Sequence, residues 1–211
     1  MSIVHGDPRA DASIADGVGT GQLRRITRGI YTDEHDQPIG AVCRRQWREI
    51  VTLLHPGAVL VDASAVSCGP VAGHLFIEHF TLPNVTIPGL RIHVRRGPGP
   101  RIHDTQLTPR LWRAGPGRIV LDHVRHELGA TPRTAGRLSE AELVRWLSQL
   151  VEAYGFLGRR WVADQAKAVA ERTGTTALLP RAEQLLERAA PGVQAPRPAV
   201  PTSLVSVGGP A

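Results

Sequence analysis

The chain has 211 residues, 42% of them hydrophobic, and a formal net charge of +6 that comes almost wholly from arginine, since Lys167 is its one lysine. A chain of this length can bury one good core or two small ones, and its two cysteines exclude a disulfide framework and a multi-cysteine zinc site. No apolar run approaches the roughly 18 residues that a membrane helix needs, and the amino terminus does not have the pattern of a signal peptide. We therefore expect a cytoplasmic protein with no membrane partner.

The amino-terminal segment 1–21 is rich in Gly, Asp, Ala and Ser, and we predict that it is a flexible leader. The next segment, 22–31, places Arg24, Arg25 and Arg28 between apolar and β-favouring residues, with acidic turn material directly after it. This pattern predicts a basic β-ribbon. Because side chains alternate along a strand, Arg24 and Arg28 should share one face and Arg25 should take the other.

The segment 22–135 is predicted to form an α/β region built from short elements. Apolar residues recur at helical spacing over 39–54, which predicts one amphipathic helix. Several Gly-Pro steps over 97–117 predict a loop with little regular structure. Strands are predicted over 58–61, 74–80 and 90–94, and a short helix over 119–128.

The segment 136–190 is predicted to be a helical subdomain. Ser139 and Glu142 have the spacing of a capping box, at the start of a helix that Gly155 ends. Further helices are predicted over 161–173 and 180–190, and a disordered proline-rich tail over 191–211. The first helix should pack against the helix that contains Trp161 through one apolar stripe, formed by Leu143, Leu147, Leu150, Val151 and Tyr154. The fold class that follows is α+β, with a small mixed or antiparallel sheet, packed helices and a helical carboxy-terminal subdomain.

The positive charge is concentrated in one stretch of the chain. Residues 90–118 hold seven arginines against one acidic residue, Asp104, and this net charge of +6 equals the excess of the whole chain. Guanidinium groups at this density are suited to a phosphate backbone. Alternatively, these arginines pair with acidic residues elsewhere or solvate a loop, and a high-GC genome would also favour arginine codons. The predicted nucleic-acid-binding residues are Arg24, Arg25, Arg28, Arg91, Arg95, Arg96 and Arg101.

No complete catalytic, cofactor or metal site is recognisable in the sequence. His123, His126 and Glu127 spell H-x-x-H-E, which is not one of the usual zinc motifs, and no third ligand can be assigned. The glycine-rich runs over 17–21 and 97–100 lack the features of phosphate-binding loops. We therefore expect a protein that is not an enzyme and that has no cofactor and no metal ion.

Seven sequence blocks, within residues 22–175, together carry a resemblance through their order and spacing. They are 22–31, 42–51, 55–65, 74–77, 87–90, 95–100 and 138–142. The chain resembles AbiEi-type antitoxins and the amino-terminal domain that precedes the catalytic domain of some actinobacterial Fic-family proteins. The resemblance implies that 22–31 is the wing of a winged-helix module, although a three-helix DNA reader does not fit in 1–21. The catalytic Fic loop is absent from the sequence, so any adenylyltransferase activity would reside in a different chain.

Three functions follow as hypotheses. The resemblance implies a non-enzymatic antitoxin-like regulator of a toxin-antitoxin locus, which binds promoter DNA, a cognate toxin protein or both through its arginines. The alternative is a regulatory partner or remnant of a Fic-type adenylyltransferase that acts by protein binding only. A metal-dependent hydrolase is the third hypothesis, and it would require the histidines to converge.

Overall fold

A computed structural model of the protein describes residues 2–80, 83–129 and 136–189. Its fold is α+β, as predicted, with one antiparallel sheet, one mixed sheet and a helical carboxy-terminal region. The predicted proline-rich tail over 191–211 lies outside the described residues. Across the described part of the chain, every helix is too short or too polar to cross a lipid bilayer.

The first sheet is built from strands β1 (Ile3–His5), β2 (Arg24–Thr27) and β3 (Ile30–Thr32), in the antiparallel order β1-β3-β2. Helix α1 (Ala12–Gly19) lies between β1 and β2, and the side chain of Asp11 caps its first turn. The predicted basic β-ribbon is therefore confirmed as β2 and β3. The expectation of a flexible leader over 1–21 is wrong for residues 2–21, because β1 pairs with a strand that begins 25 residues after β1 ends and Ile14 of helix α1 is buried.

The second sheet has six strands in the order β6-β7-β5-β4-β9-β8. The pairs β5 with β7 and β4 with β9 are parallel, and the other three pairs are antiparallel. The segment 97–117 was expected to be a loop, but it contains the antiparallel hairpin of β8 and β9. Strand β9 also pairs in parallel with β4, where Leu111 lies opposite Ala58 and is fully buried. The strands are β4 (Ala58–Leu60), β5 (His74–His79), β6 (Val85–Ile87), β7 (Leu90–Arg96), β8 (Thr105–Thr108) and β9 (Leu111–Arg113).

The helix predicted over 39–54 is divided into two. Gln46 has φ −95° and ψ 20°, which interrupts the helical backbone between α2 (Ile39–Arg45) and α3 (Trp47–Leu54). The remaining helices are α4 (Asp62–Ser67), α5 (Pro116–Glu127), α6 (Glu140–Thr173) and α7 (Leu179–Arg188), with a 3-10 turn over Thr176–Leu178.

Helix α6 contains both signals that its sequence predicted. The side chain of Ser139 accepts from the backbone of Glu142, and that of Glu142 accepts from the backbone of Ser139, so the capping box is present. Gly155, at φ 63° and ψ −155°, breaks the helical backbone where the end of the first helix was predicted. The predicted stripe is buried at Leu143, Leu147 and Val151 and half-buried at Leu150. Tyr154 is 62% exposed, but its ring contacts that of Trp161 with centroids 5.9 Å apart, which agrees with the predicted packing.

One continuous hydrophobic core connects the sheets to the helical region. It includes Ile3 of β1, Leu60 and Ile77 of the six-stranded sheet, Leu147 of α6 and Leu185 of α7. Helix α5 packs against both α6 and α7. The helices that follow residue 136 therefore complete the core of the α/β region instead of forming a separate one, and they hold α5 in place beside the sheet.

Candidate functional site

A carboxylate lies at the centre of the six-stranded sheet. Glu78 is the fifth residue of β5 and is only 3% exposed. Its backbone neighbours are Val59 on β4 and Arg95 on β7, and the parallel register of β5 with β7 places Glu78 and Arg95 on the same face. A buried carboxylate remains ionised only where cations and hydrogen-bond donors replace water, so its surroundings must supply positive charge.

Arg118 supplies that charge from the first turn of α5. Its side chain is 1% exposed, and Nη2 donates to Oε1 of Glu78 over 2.6 Å. Its Nη1 donates to Oδ2 of Asp104. The carboxylate of Asp104 also accepts two backbone hydrogen bonds, from the N–H of Arg101 to Oδ2 and from the N–H of Gly115 to Oδ1. The loop before β8 and the start of α5 are therefore joined through one buried ion pair.

Arg95 forms a second centre in the same network. Nη2 donates to Oδ2 of Asp122 over 2.7 Å and to Oε2 of Glu78 over 3.2 Å, and Nη1 lies 3.7 Å from Oδ1 of Asp62. Burial opposes the charged form of Arg95, but the carboxylates of Asp122, Asp62 and Glu78 outweigh it and raise the pKa of the guanidinium. Burial likewise opposes the charged form of Asp122, whereas Arg95 and Arg118 together hold its pKa below the ordinary value.

Asp62 is held in a strained backbone conformation next to this network. It is the first residue of α4, separated from β4 by Val61, and its φ of 51° is in the left-handed region that non-glycine residues seldom adopt. Its Oδ1 lies 3.6 Å from Nε2 of His126, a buried histidine on α5. Strained residues of this kind concentrate at functional sites, where the surrounding structure overdetermines them.

Several of these side chains line a cavity of about 510 Å³. We call it the charged cavity and define it by Asp62, Glu78, Arg95, Arg101, Asp122 and Arg125, which all line it. Its volume is within the range of small-molecule sites. Ser, Thr, Cys and Lys are missing from its lining among the residues described, so no activated nucleophile is evident, and within the same residues no cluster of three or more His, Cys, Asp or Glu is arranged to hold a metal ion.

The H-x-x-H-E histidines diverge. Nε2 of His123 lies 3.2 Å from Oε1 of Glu127, whereas His126 faces Asp62 and Arg95. Burial lowers the pKa of His123 despite the opposing effect of Glu127. The two rings therefore make separate contacts. The metal-dependent hydrolase hypothesis requires the histidines to converge on one ion, and these two do not.

The predicted binding residues of 90–118 are separated by the fold. Arg91 and Arg96 are exposed, whereas the side chains of Arg95 and Arg101 are only 18% and 15% exposed and lie within the charged cavity. The alternative in which these arginines pair with acidic residues elsewhere describes Arg95 and Arg118 correctly, because Glu78, Asp104 and Asp122 contact them closely. Arg101 is also shielded from solvent, but its guanidinium comes only within 3.9 Å of Glu78.

The arginines of the β-ribbon occupy a different surface. Arg25 and Arg28 both line an open groove of about 640 Å³, together with Arg9, His5 and Tyr31, and we call it the arginine groove. The side chain of Arg24 instead donates to the carbonyls of Glu34 and Gln37. The predicted grouping of Arg24 with Arg28 is wrong, because a register irregularity between Arg25 and Thr27 changes the alternation and Arg28 belongs to the turn.

The guanidinium groups of the arginine groove are available to a ligand. Arg9, Arg25 and Arg28 are exposed, and none of the three forms a side-chain ion pair with a residue in the described ranges. Asp7 is the one acidic residue in the lining. The groove thus carries three arginines against one carboxylate, and it has a concave shape.

Sequence reasoning did not find the acidic members of the charged cavity. The signal that was present is an acidic residue directly after three apolar ones, as for Glu78 in β5 and Asp122 in α5. An isolated buried carboxylate requires a cation, and the arginine-rich stretch 90–118 contained several without local acidic partners. Matching these two sets would have predicted the network, although not which arginine pairs with which carboxylate.

No protein-family model matches the chain, and no curated protein is similar to it.

Proposed function

We propose that this protein is a non-enzymatic, antitoxin-like regulator that binds nucleic acid through the arginine groove. The observation that supports the proposal is the grouping of Arg9, Arg25 and Arg28 in one open groove without acidic side-chain partners among the described residues. Guanidinium groups that lack protein partners provide the phosphate contacts that dominate nucleic-acid affinity.

The groove supports backbone contact more than base reading. Helix α1 directly precedes β2, yet it carries no basic residue on its exposed positions, and Asp16 would oppose a phosphate. A β-ribbon with arginines at its turn contacts the sugar-phosphate backbone without a helix in the major groove. The proposed binding is therefore electrostatic, and it should depend weakly on sequence.

Binding across a salt series tests this function. The protein would be titrated with a mixed-sequence duplex and with the DNA that precedes its own gene, from about 50 to 200 mM salt. Arg25→Ala with Arg28→Ala should weaken binding to both duplexes and reduce the salt slope by about two units, if each arginine contacts one phosphate. Arg159→Ala with Arg160→Ala removes the same charge from exposed positions of α6 and is the matched control. Equal affinity and slope for the two double variants would refute the groove as the nucleic-acid site.

A second candidate function, regulation of a Fic-type enzyme or a toxin by protein binding, is favoured by one apolar surface. Tyr154, Leu157 and Trp161, on α6 around the break at Gly155, are 62%, 71% and 45% exposed. Large apolar side chains that are exposed together mark protein contacts more often than chance. If Tyr154→Ser with Trp161→Ser abolishes co-purification with the product of the adjacent gene and DNA binding is absent, this candidate replaces the first.

A further inference from the structure

One cation of the charged cavity has no hydrogen-bonding partner. The guanidinium of Arg101 is 3.9 Å from Oε1 of Glu78, which is too long for a hydrogen bond, and its Nε is buried without an acceptor within the described residues. Burial and the nearby Arg118 lower the pKa of Arg101, so the protein disfavours its charged form. A guanidinium that is desolvated and left without acceptors is stabilised when an anion enters.

Glu78 and Asp122 are already hydrogen-bonded to other arginines, and Asp62 faces Arg95 and His126. Glu78 accepts from Arg118 and Arg95, and Asp122 accepts from Arg95 and Arg125. Arg96, which is exposed and lines the same cavity, has no side-chain ion pair in the described part of the chain. Arg101 and Arg96 therefore bring to the cavity positive charges that make no hydrogen bond to a described carboxylate, and this favours an oxyanion.

Two aromatic rings and a carboxylate also line the cavity. The rings of Phe76 and His93 are stacked on each other, with centroids 4.8 Å apart and planes inclined by only 16°. Their facing sides are therefore covered, and they offer an entering ring their apolar edges and the outer side of the stack. Asp62, whose strained backbone positions its carboxylate at the cavity, can accept hydrogen bonds from hydroxyl or amino groups.

We propose that the charged cavity binds a small phosphorylated ligand of nucleotide size. Arg101 and Arg96 contact its phosphate, Asp62 accepts from its polar groups, and its planar ring lies against Phe76 and His93. The volume of about 510 Å³ accommodates a mononucleotide. This site is separate from the arginine groove, since the two share no lining residue.

Calorimetric titration of the full chain tests the proposal. The probes are adenosine, guanosine, their 5′-monophosphates, inorganic phosphate and a 5′-phosphorylated oligonucleotide, all at one ionic strength. The monophosphates should bind at least about tenfold more tightly than the nucleosides, because the charge-assisted hydrogen bonds of the phosphate are lost without it. Inorganic phosphate should bind more weakly than the monophosphates.

Arg101→Gln is the decisive variant, since it removes a guanidinium that makes no hydrogen bond and leaves Arg95 and Arg118 in place. It should fold and should lose about tenfold or more of the nucleotide affinity. Arg110→Gln, at the exposed turn between β8 and β9, is the control and should bind as the wild type does. Arg25→Ala with Arg28→Ala should also leave nucleotide binding unchanged, which separates this site from the proposed nucleic-acid site.

Four results would overturn the proposal. They are the absence of binding by every probe, equal binding of nucleosides and monophosphates, tighter binding of inorganic phosphate or the oligonucleotide than of the monophosphates, and unchanged nucleotide affinity in a folded Arg101→Gln protein. Circular dichroism of each variant establishes folding. If Arg101→Gln does not fold, Arg96→Gln, at an exposed position, takes its place with the same expected direction.

Discussion

At the scale of single residues, buried charge is the most costly feature of this protein. Glu78 and Arg118 are 3% and 1% exposed, so burial costs each charge several kcal/mol of hydration. Their contact geometry offsets this loss, with a 2.6 Å hydrogen bond and further partners on both sides. The network is therefore sensitive to the removal of any one charge, even though a purely apolar replacement of all its members could be as stable.

Glu78→Gln should destabilise the protein strongly. The substitution preserves the volume of the side chain but removes the negative charge that Arg95 and Arg118 contact. Removing one partner of a buried ion pair costs about 3–5 kcal/mol of stability. Urea denaturation measures the change in the free energy of unfolding. Asp164→Asn, in the exposed pair of Arg160 and Asp164, is the control and should leave the midpoint within error. A loss below about 1 kcal/mol for Glu78→Gln would mean that the contacts of Glu78 with Arg95 and Arg118 do not stabilise the native state.

His55 gives the native state a specific dependence on pH. Its ring is 4% exposed, neither nitrogen has a hydrogen-bond partner in the described ranges, and burial together with the neighbouring His79 lowers its pKa from 6.5 to about 4. As the pH falls, the unfolded chain protonates His55 at a higher pH than the native protein does. The free energy of unfolding should therefore decrease between about pH 6.5 and about pH 4, by at most about 3 kcal/mol.

His55→Leu should flatten this pH dependence. Thermal unfolding between pH 7 and pH 4.5 measures it, with His5→Gln at an exposed position as the control for the loss of one histidine. Some slope will persist in His55→Leu, because burial also lowers the pKa of His93 and of His123. An identical slope in the wild type and in His55→Leu would contradict the assignment of a buried, neutral His55.

At the scale of elements, helix α5 is fixed by close approach to α6. A Cβ atom on Gly117 would lie 2.3 Å from the backbone nitrogen of Ala166 and 2.6 Å from the carbonyl carbon of Gln165. Backbone atoms of a helix cannot yield as a side chain can, so only glycine permits this separation. The same turn of α5 carries Arg118, and the helix contact therefore determines where that guanidinium meets Glu78.

Gly117→Ala should separate α5 from α6 and weaken the fold by about 1–3 kcal/mol. Gly19→Ala is a matched control, because a Cβ atom at the end of α1 would meet nothing within 4 Å. It should be neutral or stabilise by up to about 1 kcal/mol, since alanine loses less backbone entropy on folding. Denaturant midpoints compare the two variants, and a smaller loss for Gly117→Ala than for Gly19→Ala would show that α5 and α6 are not in close contact.

Local signals in the sequence predicted the elements that they control. The capping box at Ser139, the break at Gly155 and the β-ribbon at Arg24–Thr27 are each determined by residues within a few positions. Elements that depend on distant partners were missed. Strand β1 is ordered by pairing with β3, and strand β9 is ordered by parallel pairing with β4. A single sequence does not reveal such pairing when the strands have only three residues.

At the scale of the whole molecule, the charge of a chain segment did not predict which of its arginines are exposed. The positive excess lies in 90–118, but the fold brings Asp62, Glu78 and Asp122 from other elements against part of it. Arg9, Arg25 and Arg28, which come much earlier in the chain, are exposed together in the arginine groove. Charge along the chain therefore predicted where arginines are concentrated, whereas topology decided which of them face solvent.

The distance along the chain between Glu78 and Arg118 has a consequence for synthesis on the ribosome. The first sheet is complete within 32 residues, whereas Glu78 precedes its main cation by 40 residues. At translation rates of about 5–20 residues per second, the nascent chain would carry this carboxylate for about 2–8 s before Arg118 is made. The six-stranded sheet thus cannot bury Glu78 as its strands emerge, and its final closure must wait for helix α5.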